Sequence, residues 1–238
     1  MAPLKIQVTG NHSITLAAER AILNLYVSST DSVQAKASQT ITTTCNRLQN
    51  LLNSLSPKTL SGDTQPDAPV TKWTMSSLNT GSFVYHDTKP PQRTYSASTH
   101  FEVTFRDFGK LGAVVTEMAE MTGVEVRNVQ WVLTEETKVR YAKVARQGAV
   151  RDAMDKARDY AAAAGRGTAT IMEIMEDSVG GLFGAAAPTG IGFGASTTPF
   201  SSGGMLTRGG GAPQEQRLKF EPENRDVTCQ VRAGFEAV

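Results

Sequence analysis

Two stretches of this chain alternate apolar and polar side chains without interruption, and this period of two predicts β-strands with one buried face. They run from 95 to 105 and from 227 to 237. Strands of this kind are typical of antiparallel sheets that face a core on one side and water on the other. The predicted inward-facing side chains are Tyr95, Ala97, Thr99, Phe101, Val103 and Phe105 in the first strand, and Val227, Cys229, Val231, Ala233, Phe235 and Ala237 in the second.

Three other stretches repeat apolar residues every three or four positions, which predicts amphipathic helices. The first spans 33 to 55 and ends before Pro57, and a short second helix, 108 to 121, follows a capping Asp107. The third, 135 to 164, has a stripe of small side chains that permits close packing on a sheet or on another helix. The stripe consists of Ala142, Ala145, Ala149, Ala153, Ala157, Ala161 and Ala164.

The remaining strands complete an α+β pattern. They are predicted at 4–8, 14–27, 70–85, 124–133 and 168–176, with Gly10 and Asn11 ending the first of them. The element order is then β-β-α-β-β-α-β-α-β-loop-β, which indicates an α+β fold. We predict a single domain over residues 1–238. Two α/β lobes within it, about 1–92 and 93–238, remain open, because each half contains long antiparallel strands and a long helix.

A Gly-rich segment, 178–215, separates the last two predicted strands. Loops inserted into a finished scaffold are usually functional or disordered. This one contains too many apolar side chains for an inert linker of the Gly/Ser type. Three interpretations stay open: disorder, contact with a neighbouring subunit, and a lid over a ligand. The candidate oligomer contacts are Leu182, Phe183, Ile191, Phe193, Phe200, Met205 and Leu206.

Composition argues against several classes of partner and location. The chain has 24 Lys+Arg against 23 Asp+Glu, with the basic residues scattered, so we expect no nucleic-acid partner. No apolar run approaches the roughly 20 residues of a membrane span. Cys45 and Cys229 are expected to be buried free thiols. The first strand begins near residue 4 without a leader, so we expect a cytoplasmic protein, the alternative being an exported protein whose leader has been removed.

The sequence predicts no catalytic, metal-binding or cofactor-binding residues. His12, His86 and His100 lie on separate segments, whereas a metal site needs clustered ligands. The glycines at 190–194 are not followed by the helix and lysine that a phosphate loop requires. Four glutamates that could act as acids or bases are better explained as solvated helix faces: Glu117, Glu120, Glu135 and Glu136.

An ordered set of motifs covering nearly the whole chain resembles the SIMPL-domain family. IQVTGNHSI is similar to the opening I-x-V-x-G-x-G strand of that family, with Asn11-His12 in place of the second glycine. AILNLYV, RTYSASTHFEVTFRDFGKLGAVV and VEVRNVQWVLTEE follow in the family order, and Glu19-Arg20 stands where a Pro-Asp pair is common. The most specific match is the helix AVRDAMDKARDYAAAAG, which matches A-x-x-x-A-x-x-K-A-x-x-x-A through Ala149, Ala153, Lys156, Ala157 and Ala161.

The resemblance implies a function without catalysis. The family has no accepted catalytic residues, and its relatives among bacterial periplasmic immunogenic proteins assemble into large rings. Bacterial members usually carry an export leader, and none is predicted for this chain. The resemblance therefore suggests an intracellular member of the family, and a eukaryotic source is left open. We therefore expect a non-enzymatic, self-assembling homo-oligomer that acts as a scaffold or interaction platform and needs no cofactor. The alternative is a small-molecule binder or enzyme with the Gly-rich segment as a lid.

Overall fold

The computed structural model describes residues 3–85, 91–178 and 220–238, and within them the chain has the predicted α+β fold. There are two antiparallel sheets, of which the larger carries two helices and the smaller carries one. The strands are β1 (Leu4–Ala17), β2 (Arg20–Asp31), β3 (Val70–Met75), β4 (Asn79–Tyr85), β5 (Gln92–Phe105), β6 (Val124–Val132), β7 (Ala169–Ser178) and β8 (Asn224–Ala237). The helices are α1 (Gln34–Leu55), α2 (Phe108–Ala119) and α3 (Glu135–Ala163).

The larger sheet has the order β3-β5-β2-β6, and β4 continues the β3 edge by pairing with the first half of β5. Helix α1 packs on β2 and β5, and α2 packs on β6. The predicted inward face of β5 is confirmed, because Phe101, Val103 and Phe105 are buried in this core. Tyr95, at the far end of the strand, is only half-buried.

The smaller sheet contains the first and the last strand of the chain, paired side by side. Its order is β1-β8-β7, all antiparallel, so that Ile6 lies opposite Phe235. Helix α3 packs on β1 and β8 through its alanine stripe, and Ala149 and Ala153 are fully buried there. Ala164 is exposed, since it caps the C-terminus of the helix. Cys45 and Cys229 are buried free thiols in separate cores, as predicted.

The predicted strand 70–85 is two strands rather than one. Met75 lies opposite Phe101 and Asn79 lies opposite Ser98, so the three residues 76–78 face only two on β5. Ser76 holds this bulge by accepting the His100 N–H on its Oγ, at 3.0 Å, and by donating its own N–H to the His100 carbonyl, at 2.9 Å. Side-chain hydrogen bonding therefore replaces part of the regular ladder, as is common at bulges near a sheet edge.

The prediction that Gly10 and Asn11 end the first strand is wrong. β1 continues to Ala17, and β2 starts at Arg20 after a tight connection. Gly10 lies inside the strand because α3 crosses directly over it: a Cβ atom there would overlap the Ala149 carbonyl oxygen and lie 2.8 Å from the Ala153 Cβ. The glycine thus serves close backbone approach and not a turn.

Candidate functional site

Several of the residues considered in the sequence lie outside the described ranges. All seven candidate oligomer contacts in the Gly-rich segment fall between 179 and 219, as do the glycines at 190–194, and His86 falls between 86 and 90. Their proposed contact role stays a prediction. The glutamates Glu117, Glu120, Glu135 and Glu136 are described, and all four are exposed.

The two described histidines belong to different sheets. His12 is on β1, whereas His100 is on β5 with its ring centroid 4.9 Å from that of Tyr26. The guanidinium of Arg127 also lies over the Tyr26 ring, with its central carbon 4.7 Å from the ring centroid. Among the residues that the structure describes, no group of three or more His, Cys, Asp or Glu side chains could hold a metal ion.

A shallow groove of about 330 Å³ lies where β1 meets α3. Its histidine is held by close packing, because the His12 ring lies so near Gly148 that a Cβ atom on that residue would overlap it. His12 occupies the position of the family's second glycine, and Gly148 on the facing helix makes room for the larger ring. The groove presents charges of both signs, and its lining consists of His12, Val144, Gln147, Gly148, Arg151, Asp152 and Asp155.

Below this groove, two side chains of α3 occupy the outer edge of β1. Lys156 Nζ donates to the Thr9 carbonyl at 2.9 Å, and Asp152 Oδ2 accepts from the Asn11 N–H at 2.8 Å. The two side chains also bond each other at 2.6 Å. The lysine hydrogen bond and the Asn11 N–H lower the pKa of Asp152. A donor and an acceptor supplied by a helix therefore take the place of a neighbouring strand at the middle of β1.

The opposite edge of the smaller sheet is open in the described part of the chain, where β7 pairs with β8 alone. Helix α3 packs mainly on β1 and β8 and only marginally on β7. Three large apolar side chains of β7 remain in solvent: Met172 is 66% exposed, Ile174 48% and Met175 43%. Natural edge strands are usually blunted by charge, proline or a covering element, so apolar exposure at such an edge indicates a contact surface.

A further polar cluster, formed by Glu19, Thr134 and Thr137, lies between the two sheets. Glu19, in the connection between β1 and β2, accepts at Oε2 from the Thr134 N–H at 2.8 Å and from the Thr134 hydroxyl at 2.6 Å. Its Oε1 accepts from the Thr137 hydroxyl at 2.9 Å. Thr134 is the N-cap of α3, so the carboxylate also lies at the positive end of the helix. These hydrogen bonds, the Thr134 hydroxyl first, lower the pKa of Glu19 against the opposing effect of burial.

Replacing Glu19 with glutamine is expected to lower the free energy of unfolding by about 1 kcal/mol at neutral pH, because the negative charge at the N-terminus of α3 and one acceptor oxygen are lost. A group whose folded pKa is depressed stabilises the protein above its unfolded pKa, about 4.3 for glutamate. That contribution disappears as the pH falls through the lower folded value. Urea denaturation at pH 7 and pH 3 measures the difference, which should shrink at pH 3. Glu117→Gln, at an exposed site, is the matched control, and equal stability of both variants at pH 7 would contradict the assignment.

Comparison with known families agrees with the motifs. The family model of SIMPL, described as "Protein of unknown function (DUF541)", matches residues 6–235, nearly the whole chain. The chain belongs to the SIMPL family. No curated protein matches it. In this SIMPL chain two of the motifs that carry the resemblance, the opening strand and the alanine-rich helix, meet in space. Gly10 of the strand lies against Ala149 and Ala153 of the helix, and Lys156 binds the Thr9 carbonyl. These motif residues therefore position α3 on the sheet.

Sequence reasoning missed part of this arrangement. The i,i+4 spacing along α3 predicts ion pairs of Arg151 with Asp155 and of Asp152 with Lys156. The second pair is confirmed at 2.6 Å, but among the described ion pairs Asp155 binds Arg158 instead, at 2.7 Å. The close approach at Gly10 had a signal in the sequence, since Ile6, Val8 and Gly10 continue one alternating face. The Glu19 cluster had none, because its partners lie more than 100 positions away.

Proposed function

We propose that this SIMPL protein is a non-enzymatic, self-assembling homo-oligomer that acts as a scaffold or interaction platform. The observation that carries the proposal is the apolar edge of β7, where Met172, Ile174 and Met175 are exposed on a strand with a free edge in the described structure. Methionine and other large apolar side chains are enriched in the cores of protein interfaces. Burying them against a second copy would remove apolar surface from water. This transfer contributes a favourable free energy of about 25 cal/mol per Å², from which the entropic cost of association is subtracted.

The chemistry of the groove beside His12 supports the non-enzymatic part of the proposal. Its lining combines an imidazole, a guanidinium and two carboxylates. Asp152 is engaged by Lys156 and by the β1 backbone, so its carboxylate positions the helix. The resemblance to ring-forming relatives supports an assembly that closes on itself, as isologous contacts do, and as heterologous contacts do when the rotation between subunits allows. A cytoplasmic location belongs to the same proposal.

Light scattering after size-exclusion chromatography tests this proposal. We expect a mass that is a multiple of 25.5 kDa across micromolar concentrations. A mass of one chain over that whole range would reject self-assembly.

A second candidate function is the binding of a small charged molecule in the groove beside His12. The groove favours it because the Arg151 guanidinium and the His12 imidazole lie next to the carboxylates of Asp152 and Asp155. A ligand that binds only the folded protein raises its stability by RT ln(1 + [L]/Kd). A thermal-shift screen of amino acids and small phosphates separates this function from pure assembly, because Arg151→Ala should abolish any shift without changing the mass of the oligomer.

A further inference from the structure

We infer that β7 pairs antiparallel with β7 of a second copy across a two-fold axis near Ile174, joining two three-stranded sheets into one six-stranded sheet. The inference rests on the proposed self-assembly and names the contact that produces it. It follows from three features of the smaller sheet: which edge is blocked, where apolar side chains are exposed, and how the acidic side chains of β7 are placed.

The β1 edge cannot accept a strand at its centre. Thr9 and Asn11 have the same parity in the strand, so their backbone groups point to the same side, away from β8. Both are already bonded, by Lys156 and Asp152 respectively. A head-to-tail contact of β7 with β1 of the next copy would have to displace this charged pair from α3. Of the two edges of this sheet in the described residues, β7 is therefore the one left for pairing, and a contact of that edge with itself is isologous, which generates a dimer.

Exposed apolar side chains lie on both faces of β7. A second β7 paired alongside would therefore bury apolar surface on both faces of the extended sheet. Ile174 lies opposite Ala233 and therefore points to the side of the sheet that α3 covers, whereas Met175 lies opposite Arg232 on the other side. Because α3 hardly reaches β7, Ile174 is left 48% exposed at the end of the core. Pairing with a second β7 would extend that core across the new strand, and directly opposed side chains would be about 4.5–5.5 Å apart at Cβ.

Two of the three acidic residues on β7 are neutralised within the chain. Glu176 binds Arg146 of α3 at 3.0 Å, and Asp177 binds Arg232 of β8 at 3.3 Å. Two such strands can therefore approach with less repulsion than their three acids suggest. Like charges placed directly opposite each other in a sheet are destabilising, so the remaining question is the register.

The register centred on Ile174 separates the acids best. It sets Ile174 against its own copy, Glu173 opposite Met175, and Glu176 opposite Met172. Centring on Glu173 would place two carboxylates directly opposite each other, and centring on Met175 would place Glu173 opposite Asp177. A two-fold axis at Met172 would pass through the point where the register of β7 with β8 is interrupted, between Ile171 and Glu173. The geometry thus favours a two-fold axis that passes beside Ile174.

Cysteine cross-linking in the full chain tests the contact. Ile174→Cys should give a covalent dimer on mild oxidation, because the two new thiols face each other across the axis. Met172→Cys is the matched control: it is also exposed, but its two copies would lie four residues apart along the strands, about 14 Å at about 3.4 Å per residue. That separation exceeds the roughly 7 Å between Cα atoms that a disulfide permits. The native thiols are buried, and burial raises the pKa of both Cys45 and Cys229, so they should not react.

A charge substitution gives a second, independent measurement. Ile174→Lys should halve the mass observed by light scattering, whereas Val139→Lys, on α3 at a side chain 69% exposed, should leave it unchanged. Circular dichroism confirms that both variants are folded. An oligomeric wild type in which Ile174→Cys does not cross-link and Ile174→Lys keeps its mass would overturn the β7 contact and leave self-assembly standing. A monomeric wild type would reject both.

Discussion

Replacing Phe101 with alanine is expected to lower the free energy of unfolding by about 3–5 kcal/mol, the usual cost of removing a large aromatic side chain from a packed core. Phe101 is 1% exposed, and it lies between Leu25 of β2 and Met75 of β3 in the larger sheet. Its ring stacks on Trp73 with the centroids 6.4 Å apart. The substitution would leave a cavity between the sheet and α1 that these neighbours can fill only in part.

Urea denaturation followed by circular dichroism measures this loss. Phe83→Ala is the matched control, because Phe83 is on β4 of the same sheet but is 66% exposed, and its substitution should cost less than about 1 kcal/mol. If Phe101→Ala also costs less than about 1 kcal/mol, the residue does not belong to the core and the predicted inward face of β5 is wrong.

Replacing Gly10 with alanine is expected to cost about 3 kcal/mol, at the upper end of the range for overpacking. The added methyl group would overlap the main-chain oxygen of Ala149 and lie 2.8 Å from the Ala153 Cβ. A main-chain atom cannot rotate away as a long side chain can, so α3 as a whole would have to move off β1. That movement would stretch the hydrogen bonds of Lys156 and Asp152 to the β1 backbone.

The same denaturation experiment, with hydrogen exchange of the α3 amides, measures the effect. Gly81→Ala is the control: Gly81 is also a strand glycine, but a Cβ atom there would meet nothing closer than the Ser96 Oγ at 3.4 Å. We expect that variant to remain within about 0.5 kcal/mol of the wild type. A Gly10→Ala protein of wild-type stability would show that α3 does not lie against β1 as closely as described.

The helices and the buried faces of the strands could be predicted because they are encoded locally. The alternation from 95 to 105 and from 227 to 237 requires only that one face be apolar, and the burial of Phe101 and Phe235 follows from it. The alanine stripe of α3 likewise predicts a close contact, although it does not say with what. The break in the strand 70–85 was not predictable, because Ser76 is held there by His100, which lies 24 positions away.

Gly10 shows where a local signal becomes ambiguous. A glycine suits a turn, which needs backbone freedom, and it suits equally a place where another backbone passes close by. The sequence around it fits both cases. Only the position of α3, whose Ala149 is more than 130 residues further along the chain, decides between them.

The sequence by itself determined the fold class and the apolar face of each strand, since these depend on residue types at spacings of two, three or four. Its ordered motifs also carried the resemblance to the SIMPL family, to which the chain belongs. Only the tertiary structure decided which strands are neighbours, that β1 pairs with β8 from the other end of the chain, and that β7 forms an edge. The physical reason is that strand pairing is chosen by contacts between distant segments. Whether Ile174 is buried or exposed depends on how far α3 extends across the sheet, and the sequence of β7 does not determine that.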